Sequence, residues 1–195
     1  MCGAFFIFKF LSGGFMRRHE REVTDIQEIN EVLEKSFVLH VGFNDEGRVY
    51  IVPVNFGFEE KDKNYVLYFH GARDGRKFNL ISAGGIAGFE CETDFELKAG
   101  KTACDYSAYY SSIIGEGIVS EISELEEKKY ALNLIMKKAT GKSDWNFPDL
   151  MLKKTGVFKI KVTDMCCKKN KKMVTIHHKK FSKNRHYPLF KEIQM

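Results

Sequence analysis

Between residues 37 and 70 the chain offers three strand-type runs separated by two turn signals, and that succession leaves little choice of architecture. Residues 37–43 form a short apolar run, and Asn44-Asp45-Glu46-Gly47 supplies turn chemistry. Residues 48–58 are rich in β-branched and aromatic side chains. A second turn over 59–64 leads into a third run at 65–70. Connections this short join antiparallel neighbours, because a parallel crossover needs a dozen residues or more. The spacing therefore predicts consecutive hairpins. Pro53 lies inside the second run and has no N–H for a ladder bond, so an edge, a bulge or an interruption is expected there.

The same reading extends along the chain. Ile26, Ile29, Val32 and Leu33 recur at helical spacing behind Thr24 or Asp25 as cap, which predicts a helix over 25–35. A helix is expected over 76–82, then strands over 86–95 and 106–122, with a bulge or bend near Gly115 and Gly117. The clearest helix is 124–140, ended by Gly141. A short helix at 148–154 and a final strand at 156–162 complete the order. Strands outnumber helices, and there are enough of them to close a barrel.

Charge narrows the function classes. Residues 168–195 carry nine Lys/Arg and one acid, whereas the remainder holds 22 Lys/Arg and 25 acids. The formal net charge of +5 is thus a property of the tail, 166–195, which is expected to be a disordered basic extension. A nucleic-acid-binding core carries its own basic face, and this core is slightly acidic, which argues against such a partner. The five cysteines form no C-x-x-C pair and lack zinc-ligand spacing, so reduced thiols in a cytoplasmic protein without a metal site are expected. The apolar run near the start is too short to span a bilayer and is interrupted by Lys9. Ser12-Gly13-Gly14 ahead of Met16 has the look of a translated ribosome-binding site, so 1–15 is read as a non-native extension.

The stretch from Tyr65 to Leu80 carries the most chemistry. A strand ends at His70, a glycine-bearing loop from Gly71 to Gly75 follows, and Arg76 and Lys77 stand at a helix start. Free N–H groups and the positive dipole end make such a start a natural phosphate site. Cations in the first turn oppose the dipole, and a bound phosphate explains the choice; an ordinary solvated Arg-Lys pair is the alternative. No P-loop or G-x-G-x-x-G pattern points to a nucleoside triphosphate or dinucleotide.

Several motifs together carry a resemblance. They are Met16-Arg17-Arg18 with Glu22-Val23, Ile51-Val52-Pro53-Val54-Asn55-Phe56-Gly57, and Tyr68-Phe69-His70-Gly71-Ala72 with Gly75-Arg76-Lys77. Further along come Tyr109 through Gly117, then Thr140-Gly141 and Asp144-Trp145 with Phe147-Pro148. Over residues 16–165 the chain resembles the nitroimidazole-resistance flavoproteins, within the pyridoxamine-phosphate-oxidase-like FMN-binding split β-barrels. The resemblance implies a mainly β fold, a homodimer, and FMN in a groove at the subunit interface. It implies that Val52, Pro53, Val54 and Asn55 line the flavin ring and that His70, Gly71, Arg76 and Lys77 hold ribityl and phosphate. Ser111 and Ser112 would add cofactor contacts, His70 would be the catalytic side chain, and Trp145 would close the substrate pocket. The implied activity is FMN-dependent reduction of a small-molecule electron acceptor such as a nitroaromatic. Residues 105–110 lack the Lys and Arg the family often carries there, and the substrate motif of true pyridoxamine-phosphate oxidases is missing. The rival readings are a flavin-storage protein and a split barrel using haem or deazaflavin.

Overall fold

The computed structural model describes residues 18–171. Eight strands make one antiparallel sheet: β1 (Glu22–Val23), β2 (Leu39–Asp45), β3 (Arg48–Val54), β4 (Phe56–Lys61), β5 (Asn64–Gly71), β6 (Ile86–Lys98), β7 (Ser107–Glu121) and β8 (Gly156–Asn170). The helices are α1 (Ile26–Lys35), α2 (Gly75–Ser82), α3 (Leu125–Thr140) and α4 (Asp149–Lys154). Asp25 caps α1 by accepting from the Glu28 N–H at 2.9 Å.

The strand order is β3-β2-β6-β7-β8-β5-β4, with β1 added on β8. β3 and β4 stand at opposite ends of that order, yet only Asn55 joins them in sequence. The sheet must therefore curl until its two edges meet at one corner. No ladder joins β3 to β4, so the wall closes there and stays split elsewhere. The fold is a split β-barrel, mainly β with helices packed on it.

This corner revises the strand expected over 48–58. The run breaks at Asn55, because the first half pairs with β2 and the second with β5. Pro53 lies opposite His40 on β3, which has a neighbour on one side only, as a proline without an N–H requires. A register shift falls between Glu116 and Gly117 of β7, in the stretch where the glycines predict a bulge.

Alternation along the strands builds two cores. Leu39, Val41 and Phe43 of β2 point inward with Leu67 and Phe69 of β5, Phe89 and Cys91 of β6, and Phe158 and Ile160 of β8. On the outer face Tyr68 and Val157 pack beneath Ala131, Leu132 and Ile135 of α3 and Leu152 of α4. A Cβ on Gly57 would fall 2.6 Å from backbone atoms of Leu134 and Ile135, so this glycine is what lets α3 lie directly on β4.

The final strand is longer than its apolar pattern suggests. β8 continues past Val162 to Asn170, where Cys167 is buried opposite Ile113 and Lys168 lies opposite Ser112. The first residues of the expected basic tail, 166–170, are thus part of the sheet. The tail from 172 onward, and the expected extension at 1–15, lie outside the described residues. No described helix is long and apolar enough to cross a membrane.

Candidate functional site

In the β4–β5 ladder Phe56 lies opposite Phe69. Asn55 is therefore level with His70, and the end of β3 runs beside the strand end that bears His70 and Gly71. The chain then turns into α2, whose first residues face both strands. Arg73 fixes the turn: its Nε is 2.9 Å from a Glu121 carboxylate oxygen, and a terminal nitrogen donates to the Lys153 carbonyl at 3.2 Å.

Arg76 and Lys77 play different parts. Arg76 Nε donates to Asp45 Oδ2 at 2.7 Å, a terminal nitrogen donates to the same oxygen, and the guanidinium lies 4.4 Å over the Tyr50 ring. Arg76 thus ties α2 to the β2–β3 hairpin. Lys77 turns the other way. Its Nζ is 5.8 Å from the ring centroids of both Phe69 and Phe158, which themselves pack 5.3 Å apart. It forms no ion pair among the described residues, and burial pushes its pKa below the usual lysine value. A Cβ on Gly71 would fall 2.3 Å from this ammonium, so the glycine provides the space that it occupies.

His70 follows Phe69 on β5, so its side chain lies on the opposite, outer face and is exposed. Partial desolvation, and secondarily the Lys77 charge, hold its pKa below the usual 6.5. Asp74, the N-cap of α2, makes no side-chain bond to the helix, and the first turn contains no acid. The start of α2 thus presents free N–H groups, a positive dipole end and an unpaired ammonium. That donor set fits a phosphate dianion. Beside it β3 has a free edge. Val52 and Val54 pack on the inner core, while Pro53 and Asn55 are exposed.

Three other residues from the sequence reading sit apart. Ser111 is buried and donates to Asp94 Oδ2 at 3.2 Å. It and Ser112 are separated from β3 by β6 and β2, three inter-strand spacings or roughly 14 Å. From Ser111 to Glu121, beside the α2 turn, the strand advances roughly 33 Å. Trp145 is held against α3: its N–H donates to Asn133 Oδ1 at 2.8 Å, and its indole N–H donates to the Lys142 carbonyl at 2.9 Å. Trp145 shares the outer face with His70, because nearby Phe147 packs with Tyr68 and Val157, and Val157 lies opposite His70.

Asp45 and Tyr50 were not legible as site residues. Asp45 reads as a turn residue, and its contact with Arg76 spans 31 positions. A separate cleft of about 590 Å³ lies at the far end of β8, lined by Glu20, Asp25, Glu28, Lys169 and Lys171 among others. Its charges are already matched, since Glu28 pairs with both lysines, and it touches none of the residues above.

With this geometry in view, the comparisons are specific. Residues 25–169 match the family model described as pyridoxamine 5'-phosphate oxidase. Among curated proteins none matches the chain. A solved structure from Bacteroides thetaiotaomicron VPI-5482, provisionally named a 5-nitroimidazole antibiotic resistance protein, is 29% identical with a TM-score of 0.65. The match covers 75% of this chain and 85% of that one. The flavocytochrome Anf3 from Azotobacter vinelandii superposes with a TM-score of 0.67 at 17% identity, over 81% of this chain and 73% of that one. A FAD and haem binding protein from Mycobacterium smegmatis gives 0.63 at 14% identity, over 78% and 74%. The last two share the fold.

Proposed function

This chain belongs to the pyridoxamine 5'-phosphate oxidase family, and from that premise we propose that it is an FMN-dependent oxidoreductase that reduces a small acceptor such as a nitroaromatic. The observation that carries the reading is the Lys77 ammonium, half-buried beside Gly71 without a carboxylate partner among the described residues, at the start of a helix whose first turn has no acid. A phosphate dianion supplies the missing counter-charge. The 29% identity to the nitroimidazole-resistance protein supports the acceptor class. The other fold relatives carry FAD or haem in their names, which is why the chromophore itself is the thing to test.

FMN, when bound, supplies the two-electron chemistry. In this reading Lys77, the α2 N–H groups and the remaining donors of Arg76 hold the phosphate. Asp45 and Tyr50 orient Arg76. The free edge of β3 from Val52 to Asn55, with Pro53 and Val54 between, lies along the ring, and Gly71 leaves room for the phosphate-binding ammonium. In its protonated form His70 can give a proton to the reduced acceptor. A dianion at Lys77 would offset the Lys77 charge, the smaller of the two causes that lower the His70 pKa, and so favour the protonated imidazole.

A homodimer completes the proposal. The outer sheet face exposes Val49 and Ile51 of β3, Ile86 of β6 and Ile114 and Ile118 of β7. Gly42 lies between Ile51 and Gly88 in the register, which keeps the middle of that face flat. A second copy would cover these side chains. It would also offer Ser112 and Trp145 to a flavin held by its partner, with the buried Ser111 behind them.

The test is a visible spectrum of freshly purified protein, with mass analysis of the released chromophore and sedimentation to give the assembly state. FMN bound to a dimer supports the proposal. Haem or deazaflavin replaces it with the rival chemistry, and FMN without turnover of any acceptor leaves flavin storage. Protein that is colourless and takes up no FMN refutes it.

A further inference from the structure

We propose that Phe37 is a specificity-determining residue of the acceptor pocket, an aromatic wall that favours planar aromatic acceptors over small inorganic ones. The assignment rests on the flavin reading above.

Phe37 is 73% exposed although its neighbour Ser36 is buried. The chain at Ser36 and Phe37 is held by three hydrogen bonds, two at Ser36 and one at the Phe37 carbonyl. The Ser36 hydroxyl donates to the Val32 carbonyl at 2.8 Å, Lys138 Nζ donates to the Ser36 carbonyl, and Asn55 Nδ2 donates to the Phe37 carbonyl at 3.5 Å. The ring is thus exposed on a fixed backbone. An isolated surface phenylalanine needs no explanation, but this one is tied directly to Asn55, which the Phe56–Phe69 pairing sets level with His70.

The C-terminal end of α3 organises the same place. Lys138 Nζ lies 5.9 Å from the Phe37 ring centroid and 4.1 Å from that of Phe56. Lys142, just past the helix, lies 4.7 Å over the Trp145 ring. Phe37 and Trp145 are therefore two aromatics held by cations at one helix end, on a barrel end that also holds Asn55 and His70. Each cation lies against its ring, and a planar π-system of a ligand matches aromatic side chains of this kind by offset or edge contact. An octahedral inorganic acceptor gains nothing from such a surface.

The experiment uses the FMN-loaded protein and nitrobenzene as probe. Nitrobenzene is titrated against the flavin absorption band to give an equilibrium Kd, and ferricyanide reduction is measured in parallel. Phe37→Ala should raise the nitrobenzene Kd about tenfold, and Phe37→Tyr should restore it. FMN retention, sedimentation and ferricyanide turnover should stay as in the wild type. An unchanged Kd overturns the assignment, as does a wild-type band that nitrobenzene fails to perturb. Conversion of dimer to monomer by Phe37→Ala also overturns it and makes Phe37 an interface residue. A wild-type protein that takes up no FMN refutes the underlying flavin reading instead, which separates the two failures.

Discussion

Replacing Lys77 with methionine tests the phosphate assignment with least disturbance. Methionine keeps the length and the apolar contact with Phe69 and Phe158 and removes only the charge. A hydrogen bond to a charged group is worth about 1.5–3 kcal/mol, and each 1.4 kcal/mol is about tenfold in affinity. Lys77→Met should therefore raise the FMN Kd roughly ten- to 150-fold. Riboflavin, which lacks the phosphate, should bind both proteins alike. The ligand-free protein should not lose stability, because burial already disfavours this ammonium. The sign follows from proton counting. The folded-state pKa lies below the ordinary 10.5, so between the two values the unfolded chain binds more protons, and wild-type stability rises with pH through that window. The variant should lack that rise. Fluorescence titration of apoprotein with the two flavins, together with thermal melts across alkaline pH, reads both effects. If FMN and riboflavin affinities shift by the same factor, or neither shifts, Lys77 does not bind the phosphate.

Gly71→Ala should fold normally, since the conflict at 2.3 Å is with the flexible end of Lys77. It should weaken FMN several-fold while leaving riboflavin alone, which circular dichroism and the same titration would check. For His70, nuclear magnetic resonance titration should give a pKa below 6.5 in apoprotein that rises when FMN binds. Because the folded value is depressed, the associated stability is present above 6.5 and is lost as pH falls through the window down to that lowered value. Tyr68→Phe removes a buried hydroxyl that donates to Glu59 at 2.5 Å while Tyr130 holds the other oxygen at 2.6 Å. It should cost about 1.5–3 kcal/mol, a fall in Tm of roughly 3–12 °C for a domain of this size, read by calorimetry.

The parts of this molecule legible in the sequence are those governed by local chemistry. The helix of α1, the turn at Asn44–Gly47 and the glycine that stops α3 each depend on residues a few positions apart, and each appears where the pattern places it. The helix start at Gly75, with Arg76 and Lys77 in its first turn, was legible for the same reason. What alternation could not convey is which strand pairs with which. The run 48–58 is uniformly strand-like, and only the partners of its two halves, β2 and β5, reveal the break at Asn55. β8 looked shorter because its second half is charged, yet Lys168, Lys169 and Asn170 are held by pairing with β7. The Asp45 partner of Arg76 comes from the far side of the barrel mouth, and no local signal marks it.

That non-local closure is also what makes a site here. Antiparallel neighbours along the sheet satisfy one another's backbone groups, so a strand with pairs on both sides offers little to a flat ligand. β3 is spared because the sheet runs out of partners after β2 and its far edge is β4, one residue away in sequence. The corner at Asn55 brings the free edge of β3 next to the end of β5, and the chain must then leave the sheet at Gly71 and start a helix. A flat backbone edge and a fresh helix start are thereby forced together by topology, before any particular side chain is chosen. Lys77 and Arg76 then differ in how freely they can change: substitution at Arg76 releases a strut to the β2–β3 hairpin, whereas Lys77 has no counter-charge among the described residues to release. It follows that Lys77 variants test the proposed phosphate contact without breaking an ion pair, whereas Arg76 variants mix binding with the integrity of the barrel mouth.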